Sequence, residues 1–283
     1  MCIRVSIVDM LAVSIPSEEP ALVVLKSYFD GGNQADSSEY DVLTLAAVSG
    51  TVDLWKPFED DWNKILVKHH AAYLHTTDAI ARRGIYECWT EPQIDAFLSD
   101  CVKVAGKHSA RPNIGDVVGK YGLFYVVVSF VLKDFVEYAK EHPESPNNAN
   151  ESCLRQVLAE VIPWSFEQAA CEQCHFFFDQ GEPFYGHLCQ LLQSKKALRD
   201  ADALRRITHR TESDMRYVPA LQLADLYAWG QSHRNSVFKT WHEGLLKTWF
   251  FWQWIDKTNL HHGDPVQQAT WSTWKLPKRK PTR

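Results

Sequence analysis

Two short phrases, Tyr28-Phe29-Asp30-Gly31-Gly32 and Phe177-Phe178-Asp179-Gln180-Gly181, each close an apolar run with an Asp beside Gly. The first ends the β-rich stretch Ala21 to Phe29 and is read as stopping it; the second ends His175 to Phe178. Both read as strands that deliver a carboxylate at the C-terminal end, the end of an open α/β sheet where sites gather. Parallel neighbours lie about 4.8 Å apart, so two such carboxylates on adjacent strands would face a common point. Either Asp on its own could equally cap a turn.

Outward from these phrases, strands and helices interleave. Val42 to Val48 is a second strand, and Leu54, Phe58, Trp62, Ile65 and Leu66 predict an amphipathic helix over Asp53 to Lys68. Thr90 with Gln93 forms a capping box ahead of the helical face Ile94, Phe97, Leu98, Cys101 and Val102. Leu123 to Leu132 suits a buried strand and Leu123 to Ala139 suits one helix; periodicity does not separate the two. Glu141 to Asn150 reads as a loop, Glu151 to Cys171 as helix broken at Pro163, and Phe184 to Arg206 as a helix turning basic. Val218 to Gly230 is an apolar helix with Pro219 in its first turn. The expected domains are an N-terminal extension (1–20), an α/β domain (21–237), an aromatic-rich segment (238–274) and a basic tail (275–283).

Composition excludes several classes. The chain has 283 residues, a net charge of −5, 45% hydrophobic and 23% charged content, which is an ordinary globular mixture rather than a disordered one. No apolar run approaches the ~20 residues of a membrane span, so no membrane partner is expected. Seven Cys is an odd number, and Asp9 interrupts what would have to be an apolar leader, which together predict a cytoplasmic protein with reduced thiols.

A third carboxylate joins the two strand-end Asp residues. Asp225 is the only charged residue between Tyr217 and Ser232, and Leu221, Ala224 and Ala228 share its helical face. A carboxylate buried there needs a cation, a cluster of donors or a proton, because an unpaired buried charge costs several kcal/mol. A divalent ion shared with Asp30 and Asp179 would satisfy it; so would backbone donors or an Arg such as Arg216. Oxygen-only ligands with no Cys among them predict Mg²⁺ or Mn²⁺ rather than Zn²⁺. Glu182, three residues past Asp179, is a candidate fourth ligand. His75-Thr76-Thr77-Asp78 places an imidazole and a carboxylate three residues apart, able to orient water or move a proton.

Taken in order, Tyr28 to Gly32, Leu74 to Asp78, Trp89 with Ile94 to Leu98, Phe176 to Glu182 and Leu221 to Asp225 resemble the large domain-of-unknown-function family numbered 3800, assigned to the ribonuclease H-like superfamily. The resemblance covers most of residues 21 to 237. It implies a ribonuclease H-like mixed sheet flanked by helices, an acidic metal site and, by superfamily analogy, phosphodiester cleavage. One departure is plain: many members follow the first Asp with Glu-Ser-Gly, whereas this chain has Gly31-Gly32-Asn33. On that reading, any role of the Glu is lost here.

A nucleic-acid surface would draw on Lys195 to Arg216, where Lys195, Arg199 and Arg206 share a helical face, and on the basic tail; a solvated face explains both equally well. Six of the eleven Trp lie from Trp241 onward, which predicts a Trp-rich helical appendage that packs on the domain or on a second subunit of a homo-oligomer. Cys171-Glu172-Gln173-Cys174-His175 matches the c-type haem attachment pattern, but His175 opens a core strand and no leader accompanies it; no second Cys pair completes a zinc site. Gly115 to Lys120 is one residue short of a phosphate-binding loop, and neither a G-x-S-x-G elbow nor an H-E-x-x-H pair is present. Two readings remain: a metal-dependent nuclease or related phosphodiester enzyme, and a non-catalytic ribonuclease H-like binding or regulatory module.

Overall fold

The computed structural model describes residues 23–34, 42–109, 122–141, 148–167, 171–194, 202–234, 239–247 and 251–255. The extension, the basic tail and the run Lys195 to Arg199 lie outside the described residues. Its centre is a mixed sheet built from β1 (Val23–Gln34), β2 (Val42–Thr51), β3 (Phe124–Val131), β4 (Cys171–Asp179), β5 (Ile207–Ser213) and β6 (Phe251–Ile255), in the order β5-β4-β1-β2-β3-β6. β1, β2 and β3 run antiparallel in turn; β4 is parallel to β1, β5 to β4 and β6 to β3.

Alternation along the strands sends side chains to two separate cores. On one face Tyr28, Val48, Tyr125, Val127 and Phe177 meet α1 (Val52–Lys68), α3 (Glu91–His108), α7 (Pro219–Ser232) and α8 (Thr240–Leu246). On the other, Leu25, Phe29, Phe124, Phe176 and Phe178 meet α4 (Leu132–Glu141), α5 (Ala149–Glu167) and α6 (Pro183–Gln193). The short α2 (Thr76–Ala81) lies between α1 and α3 in the chain. α7 is buried from Ala220 to Ser232 and crosses β1 and β2, as a helix apolar on every side must. Gln222 on α7 ties neighbouring pieces to it: its Oε1 accepts from Trp62 Nε1 (2.8 Å) and Leu74 N (3.0 Å), and its Nε2 donates to Met215 O (2.9 Å).

The two strands that carry the Asp phrases are parallel neighbours, with Phe29 opposite Phe178. The capping box at Thr90 is present, Thr90 N–H donating to Gln93 Oε1 at 2.8 Å.

Several expectations change. β1 does not stop at Asp30; β2 stays beside it, pairing Asp30 with Ala46 through to Gln34 with Val42, so the two glycines remain in the sheet after β4 has ended. Residues 123–139 are not one element but β3 followed directly by α4. Pro163 does not break α5, which runs to Glu167. Burial of Val161, Ile162 and Trp164, the last stacked on Phe124 at 4.7 Å, outweighs the lost helical hydrogen bond. The basic helix ends at Gln193, and Arg206 sits in a separate short turn, Asp202–Arg206, so Lys195, Arg199 and Arg206 do not share one described helix. The described part of the aromatic segment supplies α8, packed on the domain with Trp241 buried 5.6 Å from Trp229, and then β6, a strand added to the sheet where helix was expected; residues 256–274 lie outside the described residues. Among the described residues, no helix is long and apolar enough to cross a membrane. Cys174 lies in the core between the sheet and α5–α6.

Candidate functional site

The site forms where β4 ends and β1 continues. Asp30 and Asp179 stand at that step, on the strand face shared by Tyr28 and Phe177 and covered by α7. Asp225, near the middle of α7, looks down on them, and the turn after β4 brings in Glu182 just ahead of α6. Asp30, Asp179, Glu182, Asp225 and His75 all line one cavity of about 180 Å³. Gly31, Gly32, Thr77, Met215, Trp229, Ser232 and His233 complete its wall.

Each Asp has one oxygen on a backbone N–H. Gly31 N donates to Asp30 Oδ1 (2.9 Å), Met215 N to Asp179 Oδ1 (2.9 Å) and Thr76 N to Asp225 Oδ2 (2.6 Å). Arg216, a rival partner for Asp225, is turned to Asp214 instead, with Nε 2.9 Å from both oxygens. No Lys or Arg belongs to the cavity wall, and among the described residues none forms an ion pair with these four carboxylates.

Their titration reflects that shortage. Burial, followed by the charges of Asp225, Glu182 and Asp179, pushes the Asp30 carboxyl well above the usual carboxylate range. Burial and the charges of Asp179 and Asp225 push Glu182 up to about 7. Asp225 is raised by burial although His75 and the Thr76 N–H pull it back, and Asp179 by burial against the N–H groups of Met215 and Gln180. His75 moves upward: burial lowers it, but the Asp225 and Asp78 carboxylates outweigh that.

Asp78 does not line the cavity. It stands behind His75, its Oδ2 2.7 Å from Nδ1, with Arg83 Nε 3.4 Å from its other oxygen. Trp229, Ser232 and His233 are wall residues that the sequence reading missed. Trp229 and Ser232 fall four and seven residues after Asp225, on the same helical face, which is the signal that could have found them. His233 stacks on Trp229 with ring centroids 4.0 Å apart.

The ionisable side chains on the wall are four carboxylates and two imidazoles, His75 and His233, an oxygen-rich set that suits a hard divalent cation. Among the described residues, however, no three His, Cys, Asp or Glu side chains stand in a metal-holding arrangement. The convergence is thus one of charge around a cavity, with each Asp also held by the backbone. No protein-family model, curated protein or solved structure matches the chain.

Proposed function

We propose that the chain is a divalent-metal-dependent nuclease or related phosphodiester-cleaving enzyme built on a ribonuclease H-like sheet. The observation that carries this reading is the meeting of Asp30, Asp179, Glu182 and Asp225 on one cavity without a Lys or Arg to offset them. An antiparallel β1–β2–β3 meander beside the parallel pair β4–β5, with acidic residues on β1 and β4, supports the ribonuclease H-like part and the family resemblance.

Asp30, Asp179 and Asp225 would hold Mg²⁺ or Mn²⁺, with Glu182 as fourth carboxylate. When bound, such an ion supplies Lewis-acid activation of water and neutralises charge on a scissile phosphate. The chain's own residues then have separate tasks. The backbone N–H groups of Gly31, Met215 and Thr76 hold Asp30, Asp179 and Asp225 in place on the cavity wall. Asp78 holds the His75 ring through Nδ1, so Nε2 is the atom left to accept a proton from water or return one to a leaving oxygen.

A metal titration tests this. Mn²⁺ is expected to raise the melting temperature and to support cleavage of at least one RNA or DNA substrate, with both effects lost in Asp30→Asn and Asp225→Asn. Neither effect in the unaltered chain would overturn the proposal. The second reading, a non-catalytic nucleic-acid-binding or regulatory module, is favoured by the backbone bonds that already engage each Asp; it predicts nucleic-acid binding indifferent to Mn²⁺.

A further inference from the structure

Of the two glycines after Asp30, one has room for a side-chain carbon and the other does not. A Cβ on Gly32 would make ordinary contact with Ala228 at 3.8 Å. A Cβ on Gly31 would collide with Glu182 Oε2 and stand 2.5 Å from a ring carbon of Phe184. Real Cβ contacts do not come that close, so position 31 is filled from outside by residues of the β4–α6 connection. Backbone conformation is not the reason for this glycine: the positive-φ glycines among the described residues are Gly84 and Gly181, and Gly31 is paired in the strand opposite Leu45.

The route of Glu182 explains why the space matters. Asp30 and Asp179 reach the cavity from the α7 face of the sheet. Position 31 alternates to the opposite face, where Phe184 packs in the α6 layer. Glu182 precedes α6 and arrives past the end of β4, after Gly181 has turned the chain at φ 90°. It meets the cavity across the β1 backbone at Gly31.

We propose that Gly31 is the positioning residue for Glu182: its missing side chain is the opening through which the fourth carboxylate enters the acidic cavity. The consequence for cation binding rests on the metal-dependent reading above. Of the two side chains that a Cβ would meet, the carboxylate is the end of a flexible chain and the ring is not, so Gly31→Ala expels Glu182 first. The Gly31 N–H that bonds Asp30 Oδ1 is kept in Gly31→Ala, so the substitution tests the missing side chain.

The test is a double-variant cycle on the full chain with Gly31→Ala, Glu182→Ala and both together. In EDTA, Gly31→Ala should lower the melting temperature less in the Glu182→Ala background than in the unaltered chain, because one of the two contacts is gone. Folding of the double variant where Gly31→Ala alone does not fold is the same result in stronger form. With Mn²⁺ followed by electron paramagnetic resonance, each single variant should bind about tenfold more weakly and the double variant no more weakly than either. Additive losses in EDTA, or unchanged Mn²⁺ affinity in a folded Gly31→Ala, would overturn the positioning role. Absence of Mn²⁺ binding in the unaltered chain would overturn the cation reading, leaving the EDTA cycle to decide the role of Gly31.

Discussion

The same side chain meets opposite treatment on the outer surface and in the cavity. Where α1 packs on α3, Asp61 receives Lys64, Lys107 and His108, while Asp100 receives Lys68, Lys103 and His69. Hydrogen bonds from those lysines hold the Asp61 carboxyl well below its usual range, and at Asp100 they prevail over burial. In the cavity Asp30 and Asp225 are buried, have no Lys or Arg partner among the described residues, and are pushed the other way. This chain neutralises carboxylates where they serve only to join helices. On the proposed reading, concentrated negative charge without a Lys or Arg partner marks a place where a bound cation supplies the counter-charge.

The largest expected contrast is in metal-dependent behaviour. Asp225→Asn should reduce cleavage and Mn²⁺ affinity at least about 100-fold, whereas Asp61→Asn should leave both unchanged. Parallel activity assays and Mn²⁺ titrations of the two variants would check this. Equal losses would erase the distinction between the regions.

Next in size is the pH dependence without metal. Glu182 holds its proton more tightly in the folded chain, its carboxyl pushed from 4.5 up to about 7, so the native state binds more protons than the unfolded one in that window. Stability in EDTA should therefore be greatest at the acid side and fall as pH rises from 4.5 to 7, by up to roughly 3 kcal/mol from this group. Saturating Mn²⁺ should flatten the decline. The outer carboxylates have the opposite sign, since Asp61 and Asp100 are lowered and lose their contribution only in stronger acid. Denaturant melts across pH, with and without Mn²⁺, separate the two.

A smaller effect sharpens the comparison through the sign of one substitution. In EDTA, Asp225→Asn removes a buried repelling charge and keeps an acceptor for the Thr76 N–H, so stability should rise by about 1 kcal/mol. Asp100→Asn should lower it by about 1 kcal/mol or less, because its lysine partners are largely exposed. Chemical denaturation of the two variants gives both signs in one series. Smallest of all, raising the salt concentration should trim the contribution of the outer clusters by under about 0.5 kcal/mol and leave the cavity's pH dependence in place.

Much of this arrangement was legible in the residues, and for definite reasons. The two Asp phrases locate the carboxylates that share the cavity, although β1 runs on past Asp30 because β2 continues to pair with it. Asp225 stood out as the single charge in an apolar helix, and the structure places it over the other two. His75-Thr76-Thr77-Asp78 offers an imidazole and a carboxylate three residues apart, but which of the two faces the cavity is decided in three dimensions, where Asp78 bonds His75 Nδ1 from behind. Pro163 misled because its local cost was visible and the burial of Val161 and Trp164 was not. The helix expected to reach Arg206 failed for the converse reason: composition suited a helix, but the chain turns to form β5. Gly31 could be noted only as a departure from the resembled pattern. Its reason, the carboxylate of Glu182 in the space beside it, lies 151 positions away in the chain and is visible only in three dimensions.

Anomalous scattering from a crystal soaked in Mn²⁺ tests the central claim most directly. The account predicts a peak within coordination distance of oxygens from Asp30, Asp179 and Asp225, with Glu182 turned toward it past Gly31. A cavity with no peak, its three Asp residues still held by the N–H groups of Gly31, Met215 and Thr76, would contradict it.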